Sequence, residues 1–227
     1  MQNESPIILA VDTIDLTKVG SLIEETRDFI SIYKFGLEFY LRHGLTVLER
    51  IKSQTGIALF LDLKLHDIPN TVKQASSSIA SLEPEILTVH AAGGAEMVQA
   101  ATEALPHTKV AAVTVLTSLD QNSLRSMGIE VAVSDLTESL AAEAVRAGAT
   151  ALVASAHEVS RLKERFPQTV MITPGIRLDA SATDDQRRTM TPKQAMAAGS
   201  DYLVIGRPIT GSASPRESAA SIFESLR

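Results

Sequence analysis

The sequence contains no cysteine. That excludes a disulfide framework, a thiolate metal site and a cysteine nucleophile. No stretch approaches the roughly 20 apolar residues that a membrane span requires. The amino-terminal "MQNESPIILAVD" lacks the basic start and long apolar core of a secretory signal. A cytoplasmic protein with no membrane partner is the expectation. Basic residues are in the minority: 21 Lys and Arg face 27 Asp and Glu, a formal net charge of −6. Nucleic-acid binding needs a basic face, so no nucleic-acid partner is expected, whereas a small anion held by a few local cations is compatible. The histidines show neither H-x-H nor H-x-x-x-H spacing, so no metal site is expected.

What is present is a regular alternation. With 227 residues, 44% of them hydrophobic, the chain can bury a substantial core. Eight apolar runs read as strands: "PIILAVD", "SIYKFG", "IALFLDLKL", "EILTVHA", "KVAAVTVLT", "ALVASAH", "TVMITPGI" and "YLVIGRPI". They are apolar on both faces, as parallel strands covered by helices must be. Amphipathic stretches lie between them, among them "LTKVGSLIEETRDFI", "LTVLERIKSQT" and "EVSRLKERF", and "PRESAASIFESL" follows the last strand. Eight strands each followed by a helix predict an α/β fold, a single (β/α)8 TIM barrel domain over residues 1–227. A doubly wound open sheet is the alternative. It expects a G-x-G-x-x-G turn after the first strand, where this chain reads "AVDTIDLT".

Chemistry in such barrels sits at the carboxyl ends of the strands. The expected strand ends carry Asp12, Lys34, Asp62 with Lys64, His90, Thr117, His157, Arg177 and Arg207. In "FLDLKLHDIPNTV", alternate side chains of a strand share a face. Asp62 and Lys64 therefore point into the barrel mouth if Leu61, Leu63 and Leu65 face the helices, and Asp67 lies just beyond the strand. An isolated D-x-K is equally a structural ion pair. With Asp12 and Lys34 on neighbouring strands, the same rim becomes a network in which each charge keeps its neighbour ionised and which can supply a fixed field and a proton donor.

A second cluster is "TPGIR" with "VIGRP". Loops after strands seven and eight often hold phosphate in these barrels. Gly206 permits close backbone approach, and Arg177 and Arg207 can each clamp an oxyanion, though the same residues would also suit a surface turn. Between them "LDASATDDQRRTMTP" is polar and long, as an active-site lid would be, and its Gln186 could reach a ligand. A plain solvated loop fits the same pattern. "SLDQNSLRSMGIE" reads as a second mobile loop, "HAAGGAE" as a glycine-opened helix start, and His43 and His107 as solvent-facing.

Taken together, "AVD", "YKFG", "FLDLKLHDIPNTV", "TVHAAGG", "VLTS", "TPGIR", "DDQRR" and "AGSDYLVIGRPIT" closely resemble, in order and spacing, the orotidine 5′-phosphate decarboxylase family, from about the first strand to the last helix. The resemblance implies metal-free and cofactor-free decarboxylation of orotidine 5′-monophosphate to uridine 5′-monophosphate. It implies a charged catalytic array of Lys34, Asp62, Lys64 and Asp67, with Lys64 as proton donor to C6 and Asp62 beside the departing CO2. Asp12 matches a ribose contact, Thr117 a pyrimidine contact, and Pro174 the wall of that pocket. Arg177, Gln186, Gly206 and Arg207 match phosphate contacts. Asp67, Ile68 and Thr71 match residues that cross into a neighbouring subunit's site, which implies a homodimer with shared active sites.

Overall fold

Eight short parallel strands close on themselves in the computed structural model, which describes residues 5–177 and 190–227. They are β1 (Ile7–Ala10), β2 (Ile32–Gly36), β3 (Ala58–Leu65), β4 (Ile86–His90), β5 (Lys109–Val113), β6 (Ala151–Val153), β7 (Val170–Thr173) and β8 (Tyr202–Ile205). Each pairs with its sequence neighbour, and β1 pairs with β8 to complete the barrel. The expected (β/α)8 barrel is the observed fold.

Parity along the strands divides the core in two. Ile8, Ile32, Phe60, Ile86, Ala111, Ala151 and Ile172, one from each of seven strands, pack together inside the barrel and are at most 3% exposed. Ala111 and Ala151 are small, Phe60 is the one aromatic among these seven, and Tyr202 of β8 packs against them. The alternate residues, such as Leu9, Phe35, Leu59, Leu61 and Leu87, pack outward against the helices. Burying a side chain of this kind stabilises by roughly 1.5–3 kcal/mol. A run apolar on both faces is the signature that this double burial leaves in sequence.

The helices are α1 (Leu16–Thr26), α2 (Leu37–Thr55), α3 (Pro69–Ser78), α4 (Ala95–Ala104), α5 (Gln121–Ser126), α6 (Val133–Arg146), α7 (Ala156–Arg165), α8 (Pro192–Ala197), α9 (Arg207–Thr210) and α10 (Pro215–Ser225). Side chains cap several amino ends: Asp15 accepts from Thr17 N and Lys18 N, and Ser214 accepts from Glu217 N. Such caps satisfy amides that have no intrahelical partner.

Five local expectations change. The helix expected from Leu45 begins at Leu37, because Gly44 takes φ 70° and joins two helical pieces across a break; a positive φ is open to glycine at little cost. The fifth strand leaves the ladder after Val113 instead of Thr117, although Thr114 still donates from N and Oγ1 to Val153 O at 3.2 and 3.1 Å. His157 lies on α7, not at a strand end. The segment after β5 contains α5, capped by Asp120, whose side chain accepts from Ser123 N. His43 is also not solvent-facing: its Nε2 meets Ile14 O at 2.8 Å and its ring packs on Phe39 at 4.7 Å. Among the described residues no helix is long and apolar enough to cross a membrane.

Candidate active site

The inward parity that carries Ile8, Ile32 and Phe60 continues toward the carboxyl ends of the same strands. It places Ala10 and Asp12, then Lys34, then Asp62 and Lys64, around one mouth. A cavity of about 210 Å³ opens there, lined by these residues together with Thr117, Ser155, Pro174, Arg177, Gly206 and Arg207. Its floor is apolar, formed by Phe60, Val113, Val153, Ile172 and Val204. A larger, more open depression of about 1060 Å³ lies at the opposite end, around Ile30, Ile57 and Phe223. In this architecture the carboxyl end is where chemistry sits.

Charges alternate around the mouth. Lys34 Nζ lies 3.6 Å from Asp12 Oδ1 and 3.3 Å from Asp62 Oδ2, and Lys64 Nζ lies 2.7 Å from Asp62 Oδ1. The Lys34 and Asp62 side chains are 10% and 15% exposed, against 30% for Lys64 and 59% for Asp12. Asp62 thus has a lysine on each oxygen. Burial pushes its carboxyl up, but the ammoniums of Lys34 and Lys64, with hydrogen bonds from Lys64 and Thr88, outweigh burial and hold it below the ordinary 3.8. An acid kept ionised between two cations, in a partly dry site, is a fixed dipole array that need not reorganise when charge develops nearby.

The backbone that presents this pair is irregular. Lys64 has φ 47°, a left-handed conformation rare for a residue with a Cβ. The β3–β4 register shifts between Leu61 and Leu65. Thr88 of β4, fully buried, faces this irregularity: Lys64 N donates to its Oγ1 at 2.9 Å, and Oγ1 lies 3.0 Å from Asp62 Oδ1. Thr88 is hard to find from sequence. Its one signal was a hydroxyl inside the apolar run "EILTVHA", with the same inward parity as Ile86.

Across the cavity stand the arginines. Gly175 takes φ 79° at the turn after β7, and Arg177 follows, half-buried, with Nη1 donating to Ile176 O at 3.0 Å. Gly206 follows β8, and a Cβ there would come within 3.3 Å of Asp12 Oδ2 and 3.4 Å of Ala10 Cβ. Glycine thus suits the close approach to β1, where a larger residue would press on Asp12 and Ala10. Arg207, the first residue of α9, is exposed and lines the same cavity. Gln186, with the segment expected as a lid, lies outside the described residues.

The structure brings together Asp12, Lys34, Asp62, Lys64, Thr117, Pro174, Arg177, Gly206 and Arg207. It does not bring Asp67, Ile68 or Thr71 to this cavity. All three are exposed, Ile68 at 65%, and Asp67 Oδ1 accepts from Ile68 N at 2.7 Å. His66 and His90 meet nearby, their rings tilted by 40° with centroids 5.3 Å apart. Burial, then His66 and Lys64, push the His90 imidazole below its ordinary value, against a smaller opposing pull from Asp62.

Known proteins resemble this chain along nearly its whole length. A family profile described as orotidine 5′-phosphate decarboxylase / HUMPS family matches residues 5–222. A protein of Thermobifida fusca named orotidine 5′-phosphate decarboxylase is 48% identical over 224 residues, covering 98% of this chain and 96% of its own length. One of the same name from Carboxydothermus hydrogenoformans is 41% identical over 229 residues, covering 97% and 95%. The crystal structure of orotidine 5′-phosphate decarboxylase from Lactobacillus acidophilus superposes with a TM-score of 0.85 at 33% identity, covering 98% of this chain and 99% of that one.

Proposed function

The chain belongs to the orotidine 5′-phosphate decarboxylase / HUMPS family, and from that premise we propose that it converts orotidine 5′-monophosphate to uridine 5′-monophosphate and CO2, the last step of pyrimidine nucleotide synthesis. The observation that carries this reading is the Asp62 carboxylate gripped by Lys34 and Lys64 at the barrel mouth, with the two arginines lining the same cavity.

Breaking the bond from C6 to the carboxylate leaves an electron pair in the plane of the pyrimidine ring, where no conjugated sink can take it. The chain must stabilise that pair through space. The Lys64 ammonium supplies a positive charge and then its proton, which joins the pair at C6 as CO2 departs; Lys64 regains a proton from solvent. Asp62, against the substrate carboxylate, favours its departure. Lys34 holds Asp62 and Asp12 in place, and Asp12 contacts the ribose hydroxyls. Thr117 and Pro174 contact the pyrimidine. Arg177, Gly206 and Arg207, with Gln186, hold the phosphate, whose binding energy is realised far from C6 and lowers the chemical barrier through positioning.

The reading includes a homodimer in which Asp67, Ile68 and Thr71 complete the partner's site. The exposure of a large apolar side chain at Ile68, next to Asp67 and outside its own cavity, supports that arrangement. A charged nucleotide substrate and a chain without cysteine suit the cytoplasm.

The deciding assay follows the ultraviolet absorbance of orotidine 5′-monophosphate with a chelator present. A fall in absorbance unaffected by the chelator supports the proposal. No fall with purified, folded protein would overturn it, and activity on a sugar phosphate that needs Mg²⁺ would move the chain to the other branch of its family.

A further inference from the structure

We propose that Thr88 is a positioning residue for the reaction: its hydroxyl holds both the backbone of Lys64 and the carboxylate of Asp62 in their working geometry. The inference rests on the decarboxylase reading above. It goes beyond that reading by adding a residue from β4, a strand to which neither the array nor the phosphate contacts belong.

The geometry begins with the strand pairing. Leu61 of β3 pairs with Leu87 of β4, and Leu65 pairs with Val89. Asp62, Leu63 and Lys64 therefore lie opposite the single residue Thr88. Two extra residues must be accommodated, and Lys64 does so by adopting φ 47°. Because the excess is two, alternation survives. Leu63 stays on the outward face, 8% exposed, and Asp62 and Lys64 both remain at the mouth. The bulge thus carries Lys64 out of the ladder without turning it away from the cavity.

Leaving the ladder creates a need for new hydrogen bonds. The amide of Lys64 donates to Thr88 Oγ1 at 2.9 Å. That hydroxyl has one proton to give. It has two acceptors in reach, Asp62 Oδ1 at 3.0 Å and Leu61 O at 3.5 Å, and the shorter, charged one is Asp62. A single group, 0% exposed, accepts from the main chain of the proton donor and donates to the carboxylate that faces it. Asp62 Oδ1 is the same oxygen that accepts from Lys64 Nζ at 2.7 Å, so the hydroxyl closes a small ring through both residues. A Thr88→Val side chain would fill nearly the same space and supply neither bond. Lys64 would then lose its tie at a strained backbone, and Asp62 would be free to turn.

The test compares Thr88→Val with Thr88→Ser, which keeps the hydroxyl. In Thr88→Val kcat should fall about 10- to 100-fold, the range expected when a catalytic group is misplaced by an ångström or less. KM for orotidine 5′-monophosphate should stay within about threefold, because the phosphate contacts are untouched. Thr88→Ser should recover most of kcat. A second readout needs no substrate: a ¹³C NMR titration of the Asp62 carboxyl should move upward in Thr88→Val and stay in place in Thr88→Ser. Wild-type kcat in Thr88→Val, equal loss in both variants, or an unmoved Asp62 titration would each overturn the assignment. Should Thr88→Val fail to fold by thermal unfolding, Thr88→Ala against Thr88→Ser carries the same comparison. If the wild-type protein does not decarboxylate orotidine 5′-monophosphate, the decarboxylase reading fails, and the titration still decides whether Thr88 holds Asp62.

Discussion

Lys34 and Lys64 approach Asp62 from two sides, one on each carboxylate oxygen, at 3.3 and 2.7 Å. The two lysines come from different strands, and the side chain of Lys34 is the more buried. Lys34 also reaches Asp12, so it is committed to holding acids in place. Lys64, closer to solvent and bonded to one acid, is the ammonium with donor capacity to spare. That asymmetry supports the proposed division of roles, in which Lys34 organises the array and Lys64 delivers the proton.

Lys64→Ala should lower kcat by at least about 10²- to 10⁴-fold, the usual scale for removing a positioned proton donor. Binding of uridine 5′-monophosphate, measured by calorimetry, should persist, because the arginines remain. Turnover near the wild-type rate would exclude Lys64 as the donor.

The depressed carboxyl of Asp62 makes stability depend on pH in a definite direction. A group whose folded value lies below its unfolded value contributes stability that is fully present above the unfolded value and lost as pH falls through the folded one. For Asp62 the unfolded value is near 3.8, with the folded one lower. The difference in unfolding free energy between wild type and Asp62→Asn should therefore be constant from about pH 5 to 7 and shift toward the variant below about pH 4. Urea titrations at stepped pH measure it, and a difference that stays flat into the acid range would contradict the ion array's role in stability.

Arg207→Ala removes a cation from the rim of the cavity. A charged hydrogen bond contributes about 1.5–3 kcal/mol, so kcat/KM for orotidine 5′-monophosphate should drop about 10- to 100-fold. Added inorganic phosphite or phosphate should not inhibit the variant as strongly as the wild type. Unchanged kcat/KM would place the phosphate elsewhere.

Shared sites predict complementation. Chains carrying Lys64→Ala, unfolded and refolded together with chains carrying Asp67→Ala, should regain activity, because each mixed dimer holds one site with both residues intact. Activity that stays at the level of the separate variants would argue that Asp67 serves no neighbouring site.

Much of this was legible in the linear chain. Runs apolar on both faces announced buried parallel strands, and period-two alternation assigned Asp62 and Lys64 to the face opposite Leu61 and Leu63. Those readings hold because they depend only on local pleat and on burial. The start of α2 is not legible, because a glycine with positive φ lets two helical pieces abut, and nothing in "LEFYLRHG" marks which way Gly44 turns. The end of β5 is not legible either, because Thr114 to Thr117 have strand-like composition, while the pairing with the short β6 ends at Val113 with Val153.

Sequence alone determined which chemical groups the chain owns and which face of each strand carries them, since alternation of side chains is a property of one extended chain. The tertiary structure decided which groups meet. Closure of β8 onto β1 puts Gly206 against Asp12, and the pairing of β3 with β4 sets Thr88 beneath Asp62 and Lys64. Such contacts join residues far apart in the chain, and the left-handed backbone of Lys64 is tolerated only because those neighbours hold it.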